Sequence, residues 1–215
     1  MATSDIESGF DGFPPAAFTF FKRLARNNKR EWFVDQKSTF EQTCQAPLKA
    51  LTQVLDPPFG ASRITRIYRD VRFSKDKSPY RTHISTAVRG TYLSLSAEGL
   101  WVGTGLYMPD PAVLRRFRDA INDERSGEQL VKLVASLRRR GYEVESHETV
   151  SSAPRGFRGD HPRVDLLRMK DIYAGATITP GQLRTAAAVK AVRKAAADVS
   201  PLREWLVHYV GKSGA

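Results

Sequence analysis

The chain has 215 residues, one cysteine and a formal net charge of +11, which is length enough for one generous domain that buries about 70% of its unfolded surface without disulfide staples. No apolar run reaches the ~20 residues of a bilayer span, and the first residues carry Asp5 and Glu7 instead of a basic head; the sequence therefore predicts a cytoplasmic protein with neither membrane span nor signal peptide. Cys44 occupies an apolar helical position and reads as a small core residue in a reducing compartment, not as a nucleophile.

Residues 1–12 are polar and without period, which predicts a flexible tail ahead of a single domain over residues 13–215. From Pro14 onward Phe18, Phe21, Leu24 and Ala25 recur at helical spacing until Asn27-Asn28. Asn28 with Glu31 makes an N-cap signal for a second helix with the stripe Phe33, Phe40, Cys44, Leu48, Leu51 and Leu55, which Pro47 kinks or splits and which Asp56-Pro57-Pro58-Phe59-Gly60 stops. Trp32 and Phe33 are expected in the core, with Arg30 and Glu31 on a solvated first turn.

Between Arg63 and Phe73 the composition is that of a strand, with Ile67, Arg69, Val71 and Phe73 on one face and Arg66, Tyr68, Asp70 and Arg72 on the other. Ser74 to Thr82 is a loop pinned by Pro79. Strands from His83 to Arg89, Thr91 to Ser96 and Leu100 to Tyr107 form an antiparallel meander, whose Gly103 and Gly105 leave room for another backbone, a side chain or a ligand.

Asp110-Pro111 caps a helix from Ala112 to about Asn122, and Ser126 with Gln129 makes a capping box for one from Glu128 to Arg140, closed by Gly141. A strand from Tyr142 to Ser146, a Gly/Pro-punctuated loop from Pro154 to Pro162 and a helical turn near Asp165 follow. Thr179-Pro180 caps an Ala-rich helix to about Val199, and Ser200-Pro201 caps a last one to about Val210. The fold class expected is α+β: an antiparallel meander packed by N-terminal, middle and C-terminal helices.

Charge concentrates between Arg63 and Arg89, where eight Lys/Arg face two Asp for a net of +6 in 27 residues. Within it, Arg66, Arg69, Arg72, Lys75 and Lys77 are set against Asp70 and Asp76. An internal ion-pair lattice is one reading, because Asp70 and Arg72 lie ~7 Å apart on one strand face. The other is a pocket for a small phosphate- or carboxylate-bearing anion, since the cations outnumber the carboxylates and Arg forks match such oxygens. In the pocket reading Asp160, His161, Arg168 and Lys170 join the central residues, His83 or His161 is a candidate acid or base, and Tyr80 is a candidate donor.

His161, between Asp160 and Pro162, also fits a loop-fixing hydrogen bonder. Nucleic acid is the alternative partner, because Tyr68, Phe73 and Tyr80 interleave with arginines as stacking platforms do. An interaction protein that docks through Arg184, Lys190, Arg193 and Lys194 is a third reading. No zinc spacing, phosphate-loop glycine pattern or Gly-x-Ser-x-Gly elbow occurs, so no metal and no cofactor are predicted.

Four blocks carry a resemblance: Phe20 to Phe33, Arg66 to His83, Gly105 to Pro109 and Pro154 to Lys170. On them the chain resembles the bacterial domain of unknown function 2461 family, whose blocks run in the same order from about residue 14 to 210. The resemblance implies no particular activity. Two departures from that family's pattern are the short Arg89-Gly90 connection and Thr104 where a glycine is frequent.

Overall fold

Phenylalanines and leucines at helical spacing draw the first described stretch into helices; the computed structural model describes residues 9–56, 63–72 and 76–211. Helix α1 (Pro15–Arg26) starts on Pro15, where the missing N–H would have had no partner anyway, and buries Phe18, Phe20, Phe21 and Leu24. It ends as the sequence predicts, with the Asn27 side chain and backbone N–H both donating to Arg23 O. Helices α2 (Arg30–Phe40) and α3 (Ala46–Leu55) are joined by a π-helical turn, Glu41–Gln45, so Pro47 neither splits the run nor leaves it regular. The wider turn accommodates the ring of a residue that has no N–H to return.

Two expectations for this region change. Lys29, not Asn28, is the N-cap of α2, because the Asn28 amide is committed elsewhere, to Tyr80. Within the stretch expected to be a flexible tail, Phe10 is 1% exposed and meets Phe13 edge-on at 5.3 Å, while Phe13 N–H donates to Leu183 O; residues 1–8 lie outside those described.

No strand forms over residues 63–72. The segment runs extended against 79–85 through Arg69 N–H to Pro79 O, Arg81 N–H to Ile67 O, Thr65 N–H to Ser85 O and one bridge, Tyr68 with Tyr80. Pro79 has no N–H to offer the ladder, and the register changes between Ile67 and Thr65, so the pairing never becomes continuous. The predicted alternation nevertheless holds: Ile67 is buried and Arg69 and Val71 half-buried, while Arg66, Tyr68, Asp70 and Arg72 are exposed. Phe73 lies outside the described residues.

The sheet is an open antiparallel one, formed by β1 (Ile84–Val88), β2 (Thr91–Leu95), β3 (Leu100–Leu106), β4 (Glu143–Glu145) and β5 (Ile172–Ile178) in the order β1-β2-β3-β5-β4. The first three are the expected meander. β1 pairs with β2 from Ile84 opposite Leu95 to Val88 opposite Thr91, and the two-residue turn has φ of 48° at Arg89 and 77° at Gly90, the pattern that matches strand twist in a tight hairpin. β5 has no counterpart among the predicted elements, because Ile172-Tyr-Ala-Gly-Ala-Thr-Ile178 carries two small residues and a glycine in its middle. β5 pairs with β4 from Glu143 opposite Gly175 to Glu145 opposite Tyr173.

The backbone of β5 explains Gly105. A Cβ there would stand 2.4 Å from Ile172 O and 2.7 Å from Tyr173 Cα. A neighbouring strand, not a ligand, takes that space.

Helix α4 (Pro111–Asn122) is capped by Asp110 as expected, its carboxylate accepting from Ala112 and Val113 N–H. Helix α5 (Glu124–Arg139) starts earlier than the predicted Glu128, with Asp123 as its cap. Ser126 is buried inside it and donates to Ala120 O, so the predicted capping box does not form. After the short α6 (Val164–Leu167), Thr179-Pro180 caps only a 3-10 turn, Pro180–Leu183, in a reciprocal box with Gln182. One helix, α7 (Ala188–Tyr209), then runs through Pro201 where two were expected. The hydroxyl of Ser200 donates to Ala197 O, the carbonyl that Pro201 leaves without its helical N–H.

The chain divides into two compact units, Met1–Val102 with Thr177–Lys194 and Gly103–Ala176 with Ala195–Ala215. The first is filled by Phe13, Phe21, Leu24, Leu48, Leu51, Ile84, Leu93 and Leu95. The second packs Phe117, Ile121, Leu130, Leu167, Ile172, Leu202 and Trp205, whose indole N–H donates to Ser126 O at 3.0 Å. Among the described residues no helix is long and apolar enough to cross a membrane.

Candidate functional site

Tyr80 is the anchor of the central motif. Its ring stacks on Phe33 of α2 at 4.1 Å and 21°, with Tyr68 at 5.3 Å on the other strand of the bridge. The Asn28 side chain completes the backbone pairing there: its amide donates to Tyr80 O at 2.9 Å and its oxygen accepts from Tyr80 N–H at 3.1 Å. Tyr80 is 3% exposed, and burial first, then the Tyr68 phenol, raise its own phenol above the ordinary value. As a proton donor at neutral pH it is thereby weakened, and its geometry is that of a packing residue.

The motif's charges pair locally and in water. Arg72 forks onto Asp70, Nε to Oδ1 at 3.0 Å and Nη2 to Oδ2 at 2.6 Å. Arg69 pairs with Asp76, and Lys77 Nζ donates to Val71 O. Asp76 is held down to about 2, chiefly by the hydrogen bonds of Ser78 and then by Arg69. The Asp70–Arg72 pair anticipated for an internal lattice therefore exists, but it lies on the exposed face, where solvent screens it. Arg66 forms no ion pair among the described residues, and Lys75 lies outside them.

His83 is half-buried, and burial, then Arg81 and Arg69, hold its imidazole below the ordinary value. A histidine whose folded pKa is depressed leaves stability intact above its unfolded pKa and costs stability progressively as pH falls from there to its folded pKa, because over that range the unfolded chain binds the extra proton. An imidazole NMR titration is expected to show His83 neutral at pH 7 and titrating below the unfolded chain's histidines. A midpoint at or above theirs would contradict its burial beside Arg81 and Arg69.

A cavity of about 360 Å³ lies in the first unit where α2 and the π-turn face residues 64–68. Phe33, Phe40, Ile64, Ile67 and Tyr68 give it an apolar wall, and Lys37, Glu41 and Arg66 bring charge. Lys37 and Glu41 balance each other as an i, i+4 pair at 3.7 Å, so Arg66 supplies the net positive charge. Sequence reasoning named Arg66 but missed Lys37 and Phe40; their spacing from Phe33 along one helix is the signal that would have found them.

The remaining candidates belong to the second unit and also pair locally. Arg158 forks onto Asp160, His161 Nδ1 accepts from Arg163 N–H and fixes the entry to α6, and Lys170 pairs with Glu148. Arg168 reaches Asp165 at 3.4 Å, and its buried Nε has no hydrogen-bond partner among the described residues. Of the C-terminal cations, Arg193 donates to Val54 O. Cys44 is fully buried, its thiol pushed up to about 12 by burial, which suits packing and not nucleophilic chemistry. No three His, Cys, Asp or Glu side chains among the described residues are grouped to hold a metal.

Residues 16–205 match the family model described as "Conserved hypothetical protein (DUF2461)". No curated protein and no solved structure matches the chain.

Proposed function

The chain belongs to the conserved hypothetical protein family DUF2461, which supplies no activity to inherit, and on its own geometry we propose that it binds a small anion in the cavity between α2 and residues 64–68. The observation that carries the reading is the meeting of Arg66, the cavity's surplus cation, with an aromatic wall of Phe33, Phe40 and Tyr68. A guanidinium beside apolar rings suits a phosphate or carboxylate attached to a flat or apolar body. Binding here needs no chemistry: among the described residues the acids and bases lining the cavity are Lys37 and Glu41, which pair with each other, and the Tyr68 phenol.

The test is a thermal-shift and calorimetric screen of inorganic phosphate, nucleoside monophosphates and aromatic carboxylates at two salt concentrations. A true ligand at 100 times its Kd adds about 2.7 kcal/mol of stability. Arg66→Ala is expected to weaken a hit by about tenfold or more while leaving the unliganded midpoint within about 0.5 kcal/mol, since the side chain is exposed. Equal affinity in the variant would overturn the assignment.

One observation favours a polymeric anion instead. Tyr68 is 59% exposed between the outward-facing Arg66 and Arg72, as a base-stacking platform would be. Binding of single-stranded oligonucleotides that weakens steeply with salt would support that reading, and salt-resistant binding of a monomeric anion would exclude it.

A further inference from the structure

In the second unit a histidine that no sequence motif marked is held as reactive histidines are held. Asp171 is 3% exposed and accepts from Ser146 Oγ at 2.6 Å and from His147 N–H at 2.8 Å, and its second oxygen lies 2.8 Å from His147 Nδ1. A carboxylate accepts, so Nδ1 carries a proton, and in the neutral ring Nε2 is then the acceptor. The His147 side chain is 52% exposed, and no hydrogen bond to Nε2 occurs among the described residues.

Aromatic rings flank that imidazole. Tyr107, at the end of β3 and 65% exposed, stands edge-on at 5.2 Å, and Tyr173 of β5 lies at 4.5 Å. The next residue after Tyr107, Met108, holds a φ of 43°, an uncommon backbone for a side chain of its size, and is itself 74% exposed.

The charge around the rings is negative, against the trend of a chain at +11. Tyr173 donates to Glu145 at 3.1 Å, and its phenol is pushed up by burial and then by Glu145, with Glu143 and Asp171 adding to it. Lys170 is spent on Glu148. Near His147 stand Tyr107 after β3, Lys170, Asp171 and Tyr173 from β5 and its approach, Glu143, Glu145 and Glu148 from β4 and the residues after it, and Arg138 of α5, which donates to Val144 O.

We propose that His147, Tyr107 and Tyr173 form a binding site for a primary ammonium group, with Nε2 of His147 accepting its hydrogen bond, the tyrosine faces receiving the cation and Asp171 positioning the imidazole. An accepting imidazole nitrogen with aromatic rings on either side, near the carboxylates of Glu143, Glu145 and Asp171, favours a cation over an anion.

The probe is putrescine, titrated into full-length ¹⁵N-labelled protein while the His147 ring nitrogens are followed by NMR, with sodium butyrate as the anionic control. The expected result is a saturable shift of Nε2 with putrescine and none with butyrate. His147→Gln is expected to lose the binding with its backbone amide spectrum otherwise retained. An unmoved His147 signal, a comparable response to butyrate, or undiminished binding in His147→Gln would each overturn the proposal; the comparison of putrescine with butyrate on the unaltered chain stands even if a variant fails to fold.

Discussion

Replacing Gly105 by valine is expected to lower stability by about 3 kcal/mol or more, at the upper end of what overpacking costs. The reason is where the new atoms would go. A Cβ at this position falls 2.4 Å from Ile172 O and 2.7 Å from Tyr173 Cα, and both are backbone atoms of the adjoining strand, which no rotamer change can move aside. β5 lies between β3 and β4 in the strand order, so forcing it away from β3 disturbs the centre of the sheet and not an edge. For a chain of this length the loss corresponds to a fall in melting temperature of roughly 6–12 °C. Gly159→Ala is the matched control: nothing stands within 4 Å of its added Cβ, and its midpoint is expected to stay within about 0.5 kcal/mol of the parent. Calorimetry on the two variants decides the matter, and a Gly105→Val midpoint equal to that of Gly159→Ala would show that β5 does not approach β3 as closely as the geometry has it.

The same glycine shows how far the sequence was legible. Two glycines two apart on a strand do signal a close approach, but the periodicity of one strand says nothing about which neighbour arrives, and β5, the neighbour in question, is built of Ala174, Gly175 and Ala176 with too little apolar alternation to announce itself. Helix starts were readable where a cap and a proline coincide, as at Asp110-Pro111, and misread where another partner competes for the capping side chain. Asn28 is satisfied by Tyr80, 52 residues on, and Ser126 by the carbonyl of Ala120, so their capping signals were overridden by contacts that no local window contains. Pro201 misled in the other direction, because a neighbouring serine takes up the carbonyl that the proline orphans and the helix continues.

The central motif was legible as an alternating platform and not as a partner list: outward Arg66, Tyr68, Asp70 and Arg72 follow from period two, whereas Lys37 and Phe40 come from another element and join them only in the fold. Likewise, His147 and Asp171 are 24 residues apart and meet because β4 and β5 pair.

Tyr80→Ala is expected to be the variant that links the fold to the candidate site. Truncating a fully packed aromatic ring costs about 3–5 kcal/mol, of which the transfer of the ring and the cavity left behind are both parts. Here the cavity would open beneath Phe33, which loses its stacked partner at 4.1 Å, and beside Tyr68, whose ring lies at 5.3 Å. Those two neighbours line the proposed anion cavity, so its wall and the placement of Arg66 depend on the missing ring. Tyr80→Phe separates the contributions. The phenylalanine keeps the stack and the backbone bonds to Asn28, and is expected to retain most of the stability together with the affinity for any anion found in the screen. Tyr80→Ala should lose both, whereas Arg66→Ala should lose affinity alone. Urea unfolding and calorimetric titration of the three variants read the two quantities independently: retention of anion affinity in Tyr80→Ala, measured where the variant is still folded, would place the ligand away from the cavity, and loss of affinity in Tyr80→Phe would return the phenol to the list of ligand contacts.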